Sequence, residues 1–116
     1  MRKSLSDLIF LGVIKETVEV GGHKWVLQTL TTEEQLEATS ATSSYSDYIA
    51  KVYSLTIEIL TRALKSVDDQ PLDDKAETTE FVKSLQPIIV NKLYEEYQKI
   101  QEKQNKSLES IEEIKN

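Results

Sequence analysis

Two glycines in the middle of an alternating segment constrain the fold of this chain more than any other feature. Residues 13 to 20 and residues 23 to 30 each alternate apolar with polar side chains, and Gly21 and Gly22 lie between them. Such alternation is typical of a half-buried β-strand, and glycines readily adopt the positive φ angles of a tight turn. The sequence therefore predicts a β-hairpin over residues 13 to 30.

The two-residue turn also sets which residues of the two strands face each other. With Val20 opposite His23, the large apolar side chains share one face of the ribbon and opposite charges meet on the other. Each cross-strand pair of this kind contributes about 0.2–1 kcal/mol, and a slip of one residue would break both features. The predicted pairs are Val18 with Trp25, Glu16 with Leu27, Ile14 with Thr29, Glu19 with Lys24, Thr17 with Val26, Lys15 with Gln28 and Val13 with Leu30. We find no other strand signal in the sequence.

After the hairpin, the sequence predicts helices only. The first helix begins near residue 32 at a capping box and continues to about Ala38. Hydroxyl side chains over residues 39 to 44 then weaken it, because they compete for the backbone hydrogen bonds. Two capping boxes fit the sequence, Thr31 with Glu34 and Thr32 with Gln35.

A strongly amphipathic helix follows, with Ser46 or Asp47 as its cap and an end near Ser66. Its apolar residues recur every three or four positions, which is the period of an α-helix, so this face must be buried. We expect the stripe over residues 93 to 100 of the last helix to cover it. The residues of the longer stripe are Ile49, Val52, Tyr53, Thr56, Ile59, Leu60, Ala63 and Leu64.

One acidic loop, over residues 68 to 74, separates this helix from the rest of the chain, and it contains Pro71. The next helix begins near Asp73 or Asp74. Pro87 leaves three possibilities open, because a proline ends a helix, occupies the first turn of the next one, or kinks a continuous one.

The C-terminal residues keep helical spacing in two unequal parts. The spacing is clear from Ile88 to Ile100 and thin over residues 101 to 116, where charged and amide side chains dominate. This tail either frays or packs against another chain. Its apolar residues are Leu108, Ile111 and Ile114.

These elements predict an α+β fold that is mostly helical, with an N-terminal β-hairpin and three to four α-helices. The 116 residues fit a single domain, which we place at residues 1 to 100, followed by a charged helical tail over residues 101 to 116. A lone two-stranded ribbon is marginal in water and needs cover on its apolar face. We expect that cover either from the long helix or from strands of another molecule, because both ribbon edges offer unpaired backbone groups.

The composition argues against catalysis, cofactors and metals. The chain has no Cys and a single histidine, His23, directly after the hairpin turn. Its three glycines form no phosphate-binding loop, and residues 68 to 74 lack the glycine and the spaced ligands of a calcium loop. No hydroxyl nucleophile has an imidazole partner other than His23. We therefore predict no enzymatic activity, no cofactor and no metal site.

Charge and hydropathy also argue against nucleic-acid and membrane partners. The net charge of −6 removes the attraction that dominates nucleic-acid affinity, and we expect Tyr53 and Tyr97 in the core rather than on a stacking surface. The longest apolar run, residues 8 to 11, is far shorter than the roughly 20 residues of a membrane span. Because Ser6 and Asp7 precede this run and no cleavage site follows it, we expect a cytosolic protein without a signal peptide.

The order of features over residues 8 to 37 is distinctive. A short segment leads into the Gly-turned hairpin, the second strand ends in Leu30, and a Thr-Thr-Glu-Glu-Gln helix start follows at once over residues 31 to 35. This order resembles the tail assembly chaperones and related small tail or baseplate proteins of tailed bacteriophages. The resemblance implies a small acidic helical protein that binds other tail proteins and has no catalytic residues.

Two roles are implied by the resemblance, and composition leaves a third open. As a chaperone, the protein would coat the tape-measure protein in the host cytoplasm, help tail-tube subunits to assemble around it, and leave. As a virion component, it would stay in the tail hub or baseplate. The third role is an acidic regulatory module for a basic partner, although Lys and Arg alternate with acidic residues along every helix.

We expect partner contacts at the hairpin and at the tail. The hairpin's apolar face would be covered internally or by a partner, and the tail would dock the C-terminal helix on another chain. The partners implied are the tape measure, the tail tube, the baseplate hub and further copies of the chain in a homo-oligomer. The candidate partner-binding residues are Val18, Trp25 and Leu27 in the hairpin and Leu108, Ile111 and Ile114 in the tail.

Overall fold

The computed structural model describes the backbone of residues 8 to 115 and the side chains of residues 8 to 107. It confirms an α+β fold that is mostly helical, in which an N-terminal hairpin precedes four helices. The strands are β1 (Lys15–Val20), β2 (His23–Gln28), β3 (Leu64–Val67) and β4 (Gln70–Pro71). The helices are α1 (Thr32–Ala41), α2 (Tyr48–Ala63), α3 (Lys75–Ser84) and α4 (Pro87–Lys115).

The predicted register of the hairpin is confirmed from Lys15 opposite Gln28 to Val20 opposite His23. Gly21 and Gly22 both have positive φ, at 62° and 79°, which a side chain with a Cβ adopts only at a cost. One face of the ribbon points into the protein as the alternation predicts, because its large apolar side chains are buried there.

The sheet has four strands, so the prediction that residues 13 to 30 hold the only strands is wrong. β3 pairs antiparallel with β2, β4 pairs with β3, and the strand order is β1-β2-β3-β4. The predicted helix end near Ser66 is also wrong, since α2 ends at Ala63 and Leu64 turns to extended backbone at ψ 124°. The local sequence alone would allow the residues of β3 to continue the helix. They form a strand instead, because pairing with β2 satisfies their backbone groups.

The predicted acidic loop contains the turn between β3 and β4. Asp68 and Asp69 have φ of 48° and 67°, the left-handed conformation that Asp tolerates better than most side chains. The Asp68 carboxylate accepts a hydrogen bond from the Lys24 amide at 2.9 Å and pairs with the His23 ring. These contacts attach the turn to the start of β2.

The helix starts follow the predicted caps. Of the two capping boxes, the structure has the one formed by Thr31 and Glu34, with both reciprocal hydrogen bonds present. Asp47 caps α2 and Asp74 caps α3, each accepting from a backbone amide three residues later. Pro87 is the first residue of α4, where its missing amide hydrogen costs nothing.

The first helix continues three residues beyond its predicted end, to Ala41. Two of the hydroxyl groups that were expected to weaken it donate to helix carbonyls instead. Thr39 donates to the Gln35 carbonyl at 3.0 Å, and Thr42, the residue after the helix, donates to the Thr39 carbonyl at 2.8 Å. Because these bonds leave the backbone amides free for the helix, the hydroxyl-rich segment extends α1 rather than ending it.

A single core lies between the sheet and the helices. The indole of Trp25 donates to the Val20 carbonyl at 3.0 Å and lies 6.1 Å from the Phe81 ring of α3. The hydroxyl of Tyr97 accepts from the Leu30 amide, and burial raises its pKa. The largest fully buried side chains are Tyr97, Leu27, Leu60, Leu64, Leu93, Ile100, Val82 and Thr78.

Candidate protein-binding surface

Among the side chains that the structure describes, the histidine and the acidic residues form structural pairs and do not converge on one site. The ring of His23 is exposed at the hairpin turn and pairs with Asp68. The hydrogen bond from the Lys24 amide and the contact with His23 hold the pKa of the Asp68 carboxyl below its usual range. Among the described residues, no three His, Cys, Asp or Glu side chains come together as a metal site requires.

A buried cation joins three helices and is satisfied by structural contacts. The Arg62 side chain of α2 is only 7% exposed and lies 2.8 Å from Glu58 and 3.3 Å from Glu37 of α1. Lys75 of α3 also reaches Glu37, at 3.4 Å. Arg62 and then Lys75 hold the pKa of Glu37 below its usual range. The cluster links α1, α2 and α3 and leaves no base or nucleophile unpaired within it.

The hairpin's apolar face is covered by the same chain. Trp25 is 5% exposed and Leu27 is fully buried, while Val18 is partly buried against the core. The structure therefore shows cover by the same chain, to which Phe81 of α3 and the helix α4 contribute, whereas the internal cover expected from the sequence was the long helix α2. Trp25 and Leu27 offer no free surface to a partner in this structure. The other candidate binding residues, Leu108, Ile111 and Ile114, lie outside the residues whose side chains the structure describes.

The exposed apolar surface lies instead on the N-terminal half of α2. Tyr48 is 78% exposed, Ile49 67%, Val52 46% and Tyr53 44%. We call these four residues the α2 patch. The prediction that Tyr53 belongs to the core is wrong, whereas the same prediction for Tyr97 is confirmed. Neighbours one turn apart on a helix lie side by side, so the four side chains form a continuous surface.

A groove adjoins the α2 patch. Tyr45, Ala50, Tyr53 and Ile57 line a cavity of about 270 Å³ between α2 and the segment before it. A second cavity of about 120 Å³ shares three of the lining residues with the first and continues along the start of α4. The shared residues are Tyr53, Ile57 and Lys83, and the second cavity adds Val82, Leu85, Pro87 and Val90.

A second exposed apolar segment precedes the hairpin. Residues 8 to 11 are all more than half exposed, from 56% at Leu8 to 69% at Ile9. The chain reaches β1 through Gly12, whose φ is 84° and whose carbonyl accepts from the Gln104 side chain at 2.8 Å. Lys103 pairs with Glu16 at 2.9 Å beside it. These two contacts hold the start of β1 against α4.

Sequence reasoning missed the α2 patch, although the lengths of the two stripes contain a signal for it. At 1.5 Å per residue, the stripe from Ile49 to Leu64 is about 22 Å long, whereas the stripe from Leu93 to Tyr97 and Ile100 is about 10 Å long. The shorter stripe is too short to cover the longer one. Unless another element lies opposite its remaining part, about half of the α2 stripe stays exposed.

The structure and the comparisons add two further findings. Within the described residues, no helix combines the length and the apolarity that crossing a membrane requires. Comparison of the chain with models of protein families, with characterised proteins and with solved structures finds no match in any of the three.

Proposed function

We propose that this chain is a non-enzymatic protein-binding module of bacteriophage tail assembly, and that the α2 patch and its groove hold an apolar helical segment of a partner. The observation that carries the proposal is the exposure of four large apolar side chains on one half of a helix whose other half is core. Contiguous exposed apolar surface with a polar rim is typical of interaction sites. Glu58 and Lys83, which line the groove, supply that rim.

The shape and chemistry of the surface favour a helical partner segment. A groove flanked by an apolar helix is the surface on which amphipathic helices dock, with anchors at one-turn spacing. Full burial of a large apolar side chain contributes about 1.5–3 kcal/mol, so the partial burial of the four patch residues is enough for reversible association. A surface of this kind suits a chaperone that binds an aggregation-prone segment and later leaves it.

The phage setting comes from the resemblance over residues 8 to 37. The hairpin and the Thr31 capping box, which carry that resemblance, have the geometry that the sequence predicts. In the proposed role, the chain binds the tape-measure protein in the host cytoplasm while tail-tube subunits assemble around it. No cofactor takes part. The alternative role is that of a permanent component of the tail hub or baseplate. It uses the same surface and differs only in that the chain stays bound to its partner.

Co-purification with defined partners tests the proposal. The tagged chain is co-expressed with tape-measure and tail-tube proteins from the genome that encodes it, and the wild type is compared with the double variant Ile49→Gln and Val52→Gln. We expect the wild type to retain the tape-measure protein. The amount that the double variant retains should fall at least about tenfold, since a loss of about 1.4 kcal/mol of binding energy suffices for that decrease. Lys51→Gln, on the same exposed helix half, is the matched control and retains the partner.

The outcomes separate the parts of the proposal. Retention of the partner by the double variant would show that the α2 patch is not the binding surface. Failure of the wild type to bind any tail protein would remove the phage assignment. Detection of the protein in purified particles, at a fixed number of copies, would replace the chaperone role with the structural one.

A further inference from the structure

β1 is an edge strand with a free row of backbone groups. In the strand order β1-β2-β3-β4 of the described residues, it pairs with β2 alone. The carbonyl of Ile14 accepts from the Thr29 amide at 3.0 Å, which shows that the even-numbered residues of this segment direct their backbone groups toward β2. The backbone groups of Lys15, Thr17 and Glu19 therefore point outward, and all three residues are exposed.

We infer that this edge pairs with the same edge of a second copy of the chain, antiparallel, with the two-fold axis at Thr17. Thr17 then lies opposite Thr17 of the second copy, and Lys15 lies opposite its Glu19. Each facing pair consists of residues with outward backbone groups, so each exchanges two N–H···O=C hydrogen bonds. The result is one continuous sheet across the two copies.

The charge pattern of β1 selects this register and this occupant. Natural edge strands often carry charged side chains that prevent pairing. In β1, however, a two-fold axis at Thr17 brings Lys15 of each copy to Glu19 of the other, an attractive pair on both sides of the axis. A shift of two residues in either direction places Lys15 or Glu19 opposite Thr17 and loses both ion pairs. The strand is therefore complementary to itself in one register.

Exposed apolar residues lie at both ends of the proposed junction. Residues 8 to 11 precede β1 at one end, and they are all more than half exposed. At the other end Ile89 of α4 packs beside Gly21, and its neighbour Ile88 is 75% exposed. Antiparallel pairing places the first end of one copy beside the second end of the other. On each side of the axis, residues 8 to 11 of one copy are thus brought toward Ile88 and Ile89 of the other copy.

Charge reversal with complementation tests the pairing, with the mass in solution measured by sedimentation equilibrium. Lys15→Glu gives a chain with Glu at both positions, and Glu19→Lys gives a chain with Lys at both. We expect each variant alone to dimerise about tenfold more weakly than the wild type, because both ion pairs become repulsive. An equimolar mixture restores the dimer as a heterodimer, since every facing pair is then attractive.

Two further variants separate pairing from loss of fold. Lys15 faces the neutral Gln28 in its own hairpin, so at a concentration too low for dimers Lys15→Glu leaves the thermal unfolding curve unchanged, whereas Glu19→Lys also loses its partner Lys24. Thr17→Pro removes an outward amide and is expected to give a folded monomer. Lys51→Glu on α2 makes the same charge change away from β1 and keeps the dimer.

The proposal has clear contrary results. A wild-type chain that remains monomeric up to about 1 mM overturns it, because the association would then be weaker than about −4 kcal/mol. A dimer that persists in both Lys15→Glu and Thr17→Pro shows that another surface forms it. A mixture of the two charge variants that stays monomeric, while the wild type dimerises, rejects the register at Thr17.

Discussion

The two halves of α2 carry one apolar stripe and lie in opposite environments. In the C-terminal half, Ile59 is 5% exposed and Leu60 is fully buried, whereas in the N-terminal half Tyr48 and Ile49 are 78% and 67% exposed. The residue types and their spacing do not distinguish the halves. The comparison teaches that an apolar stripe predicts which face of a helix seeks contact, but not where along the helix its own chain provides that contact.

The hairpin shows the converse case. It has the composition of a ribbon that needs a partner, and its own chain provides one, because β3 extends the sheet and α3 places Phe81 against Trp25. The surplus apolar surface is therefore on α2 rather than on the hairpin. A partner-binding surface follows from what the fold leaves uncovered, and this depends on contacts between segments that are distant in the sequence.

The largest expected difference between the two halves of α2 is in stability. Leu60→Ala removes a fully buried side chain and is expected to lower the free energy of unfolding by about 2–5 kcal/mol. Ile49→Ala is expected to change it by no more than about 0.5 kcal/mol, because the side chain is exposed. Chemical denaturation of both variants measures the difference, and equal losses would mean that the N-terminal half of α2 is packed in solution.

The aromatic residues of the two regions give a second, smaller contrast. Trp25→Phe loses the hydrogen bond to the Val20 carbonyl and part of the packing on Phe81, so we expect a loss of about 1–3 kcal/mol. Tyr53→Phe removes a hydroxyl from an exposed ring and is expected to have almost no effect. Thermal unfolding followed by circular dichroism compares them, and an undiminished melting temperature for Trp25→Phe would contradict the internal cover of the hairpin.

The cap of α2 stabilises the half that carries the patch. The Asp47 side chain accepts from the Ala50 amide at 2.9 Å, so Asp47→Ala is expected to cost about 0.5–2 kcal/mol. Because the adjoining turn has little tertiary support, this loss appears first as faster hydrogen exchange in the first turns of α2. Ser46→Ala, one residue before the cap, is the control, and identical exchange in the two variants would show that the cap does not hold this half.

The smallest expected effect is a pH dependence at the β3–β4 turn. The pKa of the Asp68 carboxyl is lowered in the folded protein, so its stabilising contribution is complete above the unfolded value of about 3.8 and is lost as the pH falls through the folded value. The melting temperature of Asp68→Asn is therefore expected to lie below that of the wild type at pH 7, and the gap closes below pH ~3.8. A gap in melting temperature that stays constant from pH 7 to below pH ~3.8 would contradict this expectation.

The parts of the fold that the sequence predicts are those determined by nearby residues. Gly21 and Gly22 specify a turn, the turn specifies the register, and the side chains of Thr31 and Asp47 specify helix starts. In each case the residue that forms the feature lies within a few positions of it. Local hydrogen bonding and local backbone freedom are sufficient to explain these successes.

The missed features depend on residues distant in the sequence. Leu64 continues the helical spacing of Leu60, and only its pairing with β2 explains why α2 ends at Ala63. Likewise, the exposure of Ile49 follows from the absence of an opposing element in the described fold, which no local pattern contains. The α2 patch was therefore missed for the same reason as β3, because both depend on tertiary contacts.

Hydroxyl-radical footprinting of the isolated chain, with oxidation located by mass spectrometry, tests the central contrast directly. The account predicts rapid oxidation at Tyr48 and Tyr53 and protection of Trp25 and Tyr97 in the same molecule, in line with their exposure. Protection of both patch tyrosines together with rapid oxidation of Trp25 would contradict it, because the hairpin would then be the open surface and α2 the covered one.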